Sequence, residues 1–356
     1  MDVLNNAHKV ITDMTGEYVE PLLAVDLKTA LFYGGSSMVA FFLLTILISS
    51  LMTASLNPKG KHALVTGGSS GIGLAIAIKY AKMGAKVTLV ARNLKKLENA
   101  KANVLAAVAN ASVHLISLDT SSSLELVTKK LVTERNPNGP VDILINCAGT
   151  SIAGTFDVCD TSEFSRMFNT NVMGSVYPTR ALLPEMKANK ESTRIVFVSS
   201  QVAQCALHGY SAYASSKWAL RGLAEALQME VKPYGILVSV AYPPDTDTPG
   251  YELEMTSKPE LTKKLSESGS VFSSDDVAAD IVKYSGQGYF GISTGLDGYM
   301  LKQAHPGMSP INNIWETVQL MLVAPIAKLV SVFVVLTWDI QCADALRSER
   351  AKAKKE

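Results

Sequence analysis

The chain has 356 residues, enough for one large domain with appendages or for two small ones. Hydrophobic residues make up 47% and charged residues only 18%, an apolar balance that suggests membrane contact. A net charge of +1 gives no reason to expect nucleic acid, and the four cysteines (Cys147, Cys159, Cys205, Cys342) lack the CxxC or histidine company that a zinc site requires.

In chain order, a leader over 1–28 carries Asp2, Asp13, Glu17, Glu20 and Asp26, the wrong character for the basic start of a signal peptide. The stretch LFYGGSSMVAFFLLTILISSLMTASL (31–56) has no charged residue and exceeds the ~20 residues needed to cross a bilayer. It predicts a retained transmembrane anchor over 29–56, with a cleavable signal as the competing reading.

From Lys61 onward, short β-branched runs alternate with helical patterns. HALVT (62–66), KVTLVA (86–91), SVHLISL (112–118), DILIN (142–146), RIVFVS (194–199) and ILVSVA (236–241) read as buried parallel strands. Helical periodicity over 72–84, ended by Gly84, lies between the first two. This alternation predicts an α/β fold, a doubly wound parallel sheet of Rossmann type, forming one catalytic domain over 60–310.

The first strand runs into Thr66, Gly67, Gly68, Ser69, Ser70, Gly71, Ile72 and Gly73. Glycines let the backbone turn tightly against a phosphate, and the helix that follows offers its N–H groups to the anion. This strand–glycine–helix context predicts a dinucleotide site rather than a plain tight turn. Where an acidic residue would select NADH, the second strand ends in ARNLKK, with Arg92, Lys95 and Lys96. Arginine clamps a 2′-phosphate bidentately, so the expected cofactor is NADPH.

YSAYASSKWAL (210–220) sets Tyr213 one helical turn before Lys217. Taken alone, the pair is either a proton-transfer couple or an aromatic helix start with an ordinary lysine. Tyr210 has Ala214 at the matching position and no such partner. The stripe of Trp218, Ala219, Gly222, Leu223, Ala226 and Leu227 makes an apolar helix face. The polar stretch 250–272 reads as a substrate lid or as a surface insertion.

WETVQLMLVAPIAKLVSVFVVLTW (315–338) is long and apolar, but Pro325 and Lys328 lie near its middle. The expectation is a bent, membrane-dipping or interfacial element over 314–340, with a simple membrane span and an ordinary buried helix as the alternatives. A polar basic tail follows over 341–356. Its Lys352 and Lys354 match a dilysine retrieval pattern or make a solvated tail. Asn110-Ala111-Ser112 is a formal glycosylation sequon.

Thr66-Gly67-xxx-Gly71-Ile72-Gly73, Asn146-Cys147-Ala148-Gly149, Asn171, Ser199-Ser200 and Tyr213-xxx-Lys217 follow one another in the order of the short-chain dehydrogenase/reductase family. Over about residues 60–300 the chain resembles that family. RIVFVSSQ (194–201), RGLAEALQMEVKPYG (221–235), VAYPPDTDTPG (240–250) and DGYML (297–301) are similar to a branch that reduces long-chain sphingoid ketones. Cys147 replaces the family's usual second asparagine, and Pro243-Pro244 stands where Pro-Gly is common.

The resemblance implies that Tyr213 gives a proton to the ketone oxygen while Lys217 lowers the phenol's pKa and binds the nicotinamide ribose. Ser200 donates to the same oxygen, with Ser199 as the fallback, since neighbouring strand residues face opposite ways. Asn171 resembles the asparagine that anchors a relay water, and a helix-kink hydrogen bond would suit it too. Cofactor contacts carried over are Gly67, Ser69, Ser70, Gly71, Ile72, Arg92, Lys96 and Asp119. Asn146, Gly149, Tyr213, Lys217, Thr246 and Thr248 complete that set. A homodimer through the Trp218 face, the endoplasmic reticulum membrane and a cytosolic catalytic domain are implied in the same way. A membrane-anchored hydroxysteroid dehydrogenase is the alternative function. A silent lipid-binding scaffold is disfavoured by the joint presence of Ser200, Tyr213, Lys217 and Asn171.

Overall fold

A computed structural model describes residues 55–133, 137–189, 191–266, 270–310 and 314–353, together with Ser36, Ser37, Ala40 and Leu44. The predicted leader, the anchor (apart from those four residues and 55–56) and residues 354–356 of the tail lie outside the described residues. Contacts divide the chain into residues 1–52 with 313–318, and residues 53–312 with 319–356. In the first unit the four isolated residues 36, 37, 40 and 44 are helical and exposed. Apart from residues 314–318, which begin the last helix, all that follows concerns the second.

The strands are β1 (His62–Thr66), β2 (Lys86–Ala91), β3 (Val113–Ser117), β4 (Ile143–Asn146), β5 (Thr193–Val198), β6 (Ile236–Tyr242), β7 (Thr246–Asp247), β8 (Phe272–Ser273) and β9 (Gly291–Ser293). The main sheet has the order β3-β2-β1-β4-β5-β6-β9, parallel throughout, and β7 pairs with β8 in a separate ribbon. The six predicted strands are all present. β9 is only three residues long, too short to produce a hydrophobic run, and so leaves no mark in the sequence.

Helices fill the connections: α1 (Gly71–Lys82), α2 (Leu94–Ala107), α3 (Leu124–Thr128), α4 (Thr161–Met167), α5 (Gly174–Ala188), α6 (Ser211–Val231), α7 (Pro249–Ser257), α8 (Glu260–Ser266), α9 (Ser274–Gly286), α10 (Gly295–Ala304) and α11 (Ile314–Ala353). Alternate residues of each strand feed opposite faces. Ala63, Val65, Ile143 and Ile145 pack with Ile76 and Tyr80 of α1 and Ile281 of α9. Leu64, Leu144 and Phe197 pack with Leu182 of α5 and Leu220 and Leu227 of α6. Helices on both faces explain why these strands are continuously apolar.

Arg194, 1% exposed, is the one charged side chain set deep beneath the sheet's start among the described strands. Its Nε donates to the Ser285 carbonyl at 2.9 Å and its Nη2 to that of Gly286 at 3.2 Å, so the end of α9 is tied to β5. These carbonyls offset what an unpaired buried cation would cost.

The segment read as a lid or a surface insertion carries two helices, α7, which starts at Pro249, and α8. α11 continues as a helix through Pro325 for 40 residues, with no interruption at the proline. The proline removes one hydrogen bond to the preceding turn, and the helical turns before it and the long apolar run after it carry the helix on. Within residues 316–348 of α11, an 18-residue window reaches a mean hydropathy of 2.3, and the helix is long and apolar enough to cross a membrane.

Candidate active site

The strand order reverses between β1 and β4, so the loops leaving their carboxyl ends diverge and open a crevice. Thr66 holds the two sides together. Its hydroxyl accepts from the Cys147 and Ala148 amides, both at 3.1 Å. The glycines between β1 and α1 are demanded by space. A Cβ on Gly73 would lie 2.4 Å from the Gly67 carbonyl oxygen, and Gly67 itself has a φ of +67°. Ser70, at the N-cap of α1, makes no side-chain cap, which leaves the helix's first amides to face the crevice. This cradle fits a dinucleotide pyrophosphate.

Arg92 leaves the end of β2 and is exposed beside Lys96 on the crevice wall. Asp119 lies across from them. Partial burial pushes its carboxyl up, but the Ser121 amide (3.0 Å) and hydroxyl (2.7 Å) outweigh this, Arg92 adds to them, and the group ends below its usual range. Asn93 caps α2 by accepting from the Lys96 amide at 3.0 Å, which fixes the turn that carries both cations.

The crevice continues into a cleft, and the two together enclose about 1140 Å³. Tyr213 and Lys217 project into it from the first turns of α6, and their helical spacing sets the Lys217 ammonium 5.8 Å from the phenol ring centre. Lys217 is buried and donates to the Val198 carbonyl at 3.0 Å. Burial pulls its pKa down to about 8, with a counteracting contribution from Cys147. Burial in turn pushes the Cys147 thiol up to about 11, so that group stays neutral beside the lysine.

The Tyr213 phenol departs from expectation. Burial raises its pKa, the Glu254 and Asp245 carboxylates raise it further, and a hydrogen bond shared with Ser200 works the other way. Lowering by Lys217, expected from the spacing, is not what dominates this site. Tyr210 packs on Tyr213 with ring centres 5.8 Å apart, and its hydroxyl donates a hydrogen bond to Glu254. Its phenol is also driven up, by burial first and Glu254 second.

The two serines separate cleanly. Ser199 is buried and donates to the Lys217 carbonyl at 2.9 Å, a link between β5 and α6. Ser200 turns the other way, caps the short helix 201–203 and meets the Tyr213 phenol. Asn171 sits in a π-helical turn, 168–173, fully buried. Its amide donates to the Thr150 carbonyl (3.0 Å) and Ser216 hydroxyl (2.9 Å) and accepts from the Thr150 amide (2.8 Å). The hydrogen-bonding capacity of that side chain goes to the protein, which makes it a clamp on the loop after β4.

Thirteen of the fourteen residues expected to touch the cofactor line this continuous crevice and cleft, Gly149, Thr246 and Thr248 among them. Asn146 does not. It lies beneath the floor, where its Nδ2 donates to Thr179 at 2.9 Å. Three groups in the cleft carry no mark in the sequence. Asp245 and Glu254 share the buried Lys258, whose ammonium lies 3.5 and 3.9 Å from them. Gln201 lines the cleft as well, with its Nε2 buried and without a partner. α11 contributes Ala327, Lys328, Val330, Ser331, Val334, Val335 and Trp338. A buried phenol with a hydroxyl donor on one side and an ammonium one turn away can pass a proton to a carbonyl oxygen set between them.

Comparison with known proteins agrees with this chemistry. Residues 61–257 match the short chain dehydrogenase family. The chain is 46% identical over 312 residues to the 3-ketodihydrosphingosine reductase of Bos taurus, covering 87% of this chain and 94% of that protein. It is 46% identical to the 3-dehydrosphinganine reductase of Danio rerio, covering 85% and 91%. A short chain dehydrogenase/reductase from Burkholderia phymatum, solved in complex with NAD, superposes with a TM-score of 0.59 at 25% identity, covering 67% of this chain and 89% of that one.

Proposed function

Since the chain belongs to the short-chain dehydrogenase family, and is thus an oxidoreductase that takes a nicotinamide cofactor, we propose that it reduces 3-ketodihydrosphingosine to dihydrosphingosine with NADPH. The observation that carries this reading is the Ser200–Tyr213–Lys217 group at the head of a large cleft, together with close relatives named for that substrate.

The bound cofactor supplies the hydride. The glycine turn and the start of α1 hold its pyrophosphate, and Arg92 with Lys96 receives a 2′-phosphate, there being no carboxylate at the end of β2 to favour a free ribose. Ser200 and the Tyr213 hydroxyl both donate to the ketone oxygen, and Tyr213 releases its proton to that oxygen as it becomes an alkoxide. Lys217 stabilises the phenolate left behind. Asn171 keeps the 149–150 loop against Lys217, for a Cβ on Gly149 would lie 3.2 Å from Asn171 Oδ1 and 3.3 Å from Lys217 Nζ.

The remaining assignments belong to the same proposal. The catalytic domain faces the cytosol at the endoplasmic reticulum membrane, with residues 29–56 as anchor. An unbroken α11 has no return turn, so a cytosolic Lys352–Lys354 tail requires this helix to lie in the membrane surface. Its outward stripe of Leu322, Ile326, Leu329, Phe333, Leu336 and Ile340 suits that placement, each side chain at least half exposed. Pairing through the α6 face around Trp218, which is 40% exposed, gives a homodimer.

The deciding experiment supplies the purified full-length chain with NADPH and, in parallel, 3-ketodihydrosphingosine or a panel of ketosteroids. Dihydrosphingosine formation with matching loss of NADPH absorbance is the expected result. Turnover of the steroids alone would overturn the assignment.

A further inference from the structure

The site described above uses one end of the cleft. At the other end, α11 forms a side wall although it lies well beyond the residues matched by the family. Seven of its residues line the cleft; Ala327, Ser331, Val334 and Trp338 recur at intervals of four, three and four and make the middle of one helix face, with Lys328, Val330 and Val335 flanking them. Ala327 is buried and Ser331 and Trp338 half-buried, which marks this as the face turned toward the domain. Yet Val334 remains 38% exposed while lining the cleft, so apolar surface there has no protein partner.

The stripe connects with the reacting group. Tyr213 packs with Val202 and Leu207 in one apolar cluster. Cys205, between those two in sequence, also lines the cleft, and it lies near enough to Lys328 for that ammonium to pull on its thiol against the upward push of burial. Lys328 is the residue next to Ala327, where the stripe begins. From Ala327 to Trp338 the helix rises about 16 Å, comparable with the extended alkyl chain of a sphingoid base. The polarity of the cleft runs the same way. The Asp245 and Glu254 carboxylates act on Tyr213 at the reacting end, where an amino-ketone head carries its ammonium, and the apolar stripe lies beyond.

We infer that α11 is the tail-binding wall of the active site, with the alkyl chain of the lipid ketone lying along Ala327, Ser331, Val334 and Trp338. The inference rests on the proposed lipid-ketone substrate and adds what holds its chain. Burial of several methylenes on this face makes the enzyme selective for long chains, at a few-fold in affinity per methylene.

The test measures kcat/KM for full-length protein in nanodiscs with the natural long-chain ketone and with an eight-carbon analogue. Val334→Asp and Ser331→Trp are each compared with the wild type. Both should lower the long-to-short ratio about tenfold or more by raising KM for the long ketone, leaving the short one unchanged. A wild-type ratio in both variants would overturn the inference. A long-chain sphingoid base with a diazirine near its tail end gives an independent reading. Light should attach it to peptides within 327–338, and excess natural ketone should suppress the labelling. Labelling confined to other segments would overturn the inference even if the enzyme is active. Failure of the wild type to reduce either ketone would instead overturn the proposed function, and the crosslink would still decide the place of the chain.

Discussion

The two ends of the cleft are built in different ways. At the nucleotide end, the ligand is met by backbone: a glycine turn, the start of α1 and the crevice between β1 and β4. At the substrate end it is met by side chains that converge from β5, α6, α7 and α11. Backbone recognition tolerates few sequences, because Gly73 leaves no room for even a methyl group. Side-chain recognition tolerates many. A family can therefore keep its cofactor and change its substrate by redrawing only one end.

The sharpest way to separate the two ends is Tyr213→Phe. Removing the proton donor should lower kcat about 10²- to 10⁴-fold, while NADPH affinity measured by fluorescence titration stays near the wild-type value. Loss of NADPH binding would mean that the two ends are not separable at this residue. Arg92→Asp tests the opposite end. Losing a charge-assisted contact to the 2′-phosphate should cut the NADPH-to-NADH preference about ten- to a hundredfold, with kcat at saturating cofactor little changed. An unaltered preference would remove Arg92 from the cofactor assignment.

Lys217 is proposed to serve both ends, and its charge depends on pH. Its pKa is held down to about 8, so the ammonium form predominates below that pH and is lost as the pH rises through it. Reduction rates should hold steady below about pH 8 and decline above. A profile flat to pH 10 would show that the lysine's charge is not needed. The smallest effect belongs to Glu254→Gln. Removing this carboxylate takes away part of what raises the Tyr213 phenol, so the limb of the pH–rate profile due to the phenol should move to lower pH by about a unit or less. A shift to higher pH would mean that loss of the Tyr210–Glu254 contact outweighs the electrostatic change.

The same division governs how much of the molecule is legible in its sequence. The nucleotide end is legible almost residue by residue, because glycine spacing and the cations after β2 leave marks along the chain. Asn146 is the exception, since nothing in its neighbourhood shows whether a strand's last residue faces the crevice or the layer beneath. At the substrate end, periodicity points to the Tyr213–Lys217 couple, but Glu254 acts from 41 positions away along the chain and by no repeat that a sequence displays. α11 shows a related limit. Pro325 reads as a lost hydrogen bond when only its own turn is weighed, whereas the helix on either side continues through it.

The staple made by Thr66 carries a consequence for how the molecule comes into being. Its hydroxyl joins residues 81 positions apart, and the β1–β4 pairing it completes has two strands and their helices threaded between its partners. Closing so long a loop is entropically late, so the nucleotide crevice forms after β1 and β2 have found each other. On this ground a nascent chain is expected to acquire its affinity for nucleotide only once β4 has left the ribosome. Nucleotide added during synthesis would then act on the second half of folding and leave the first untouched.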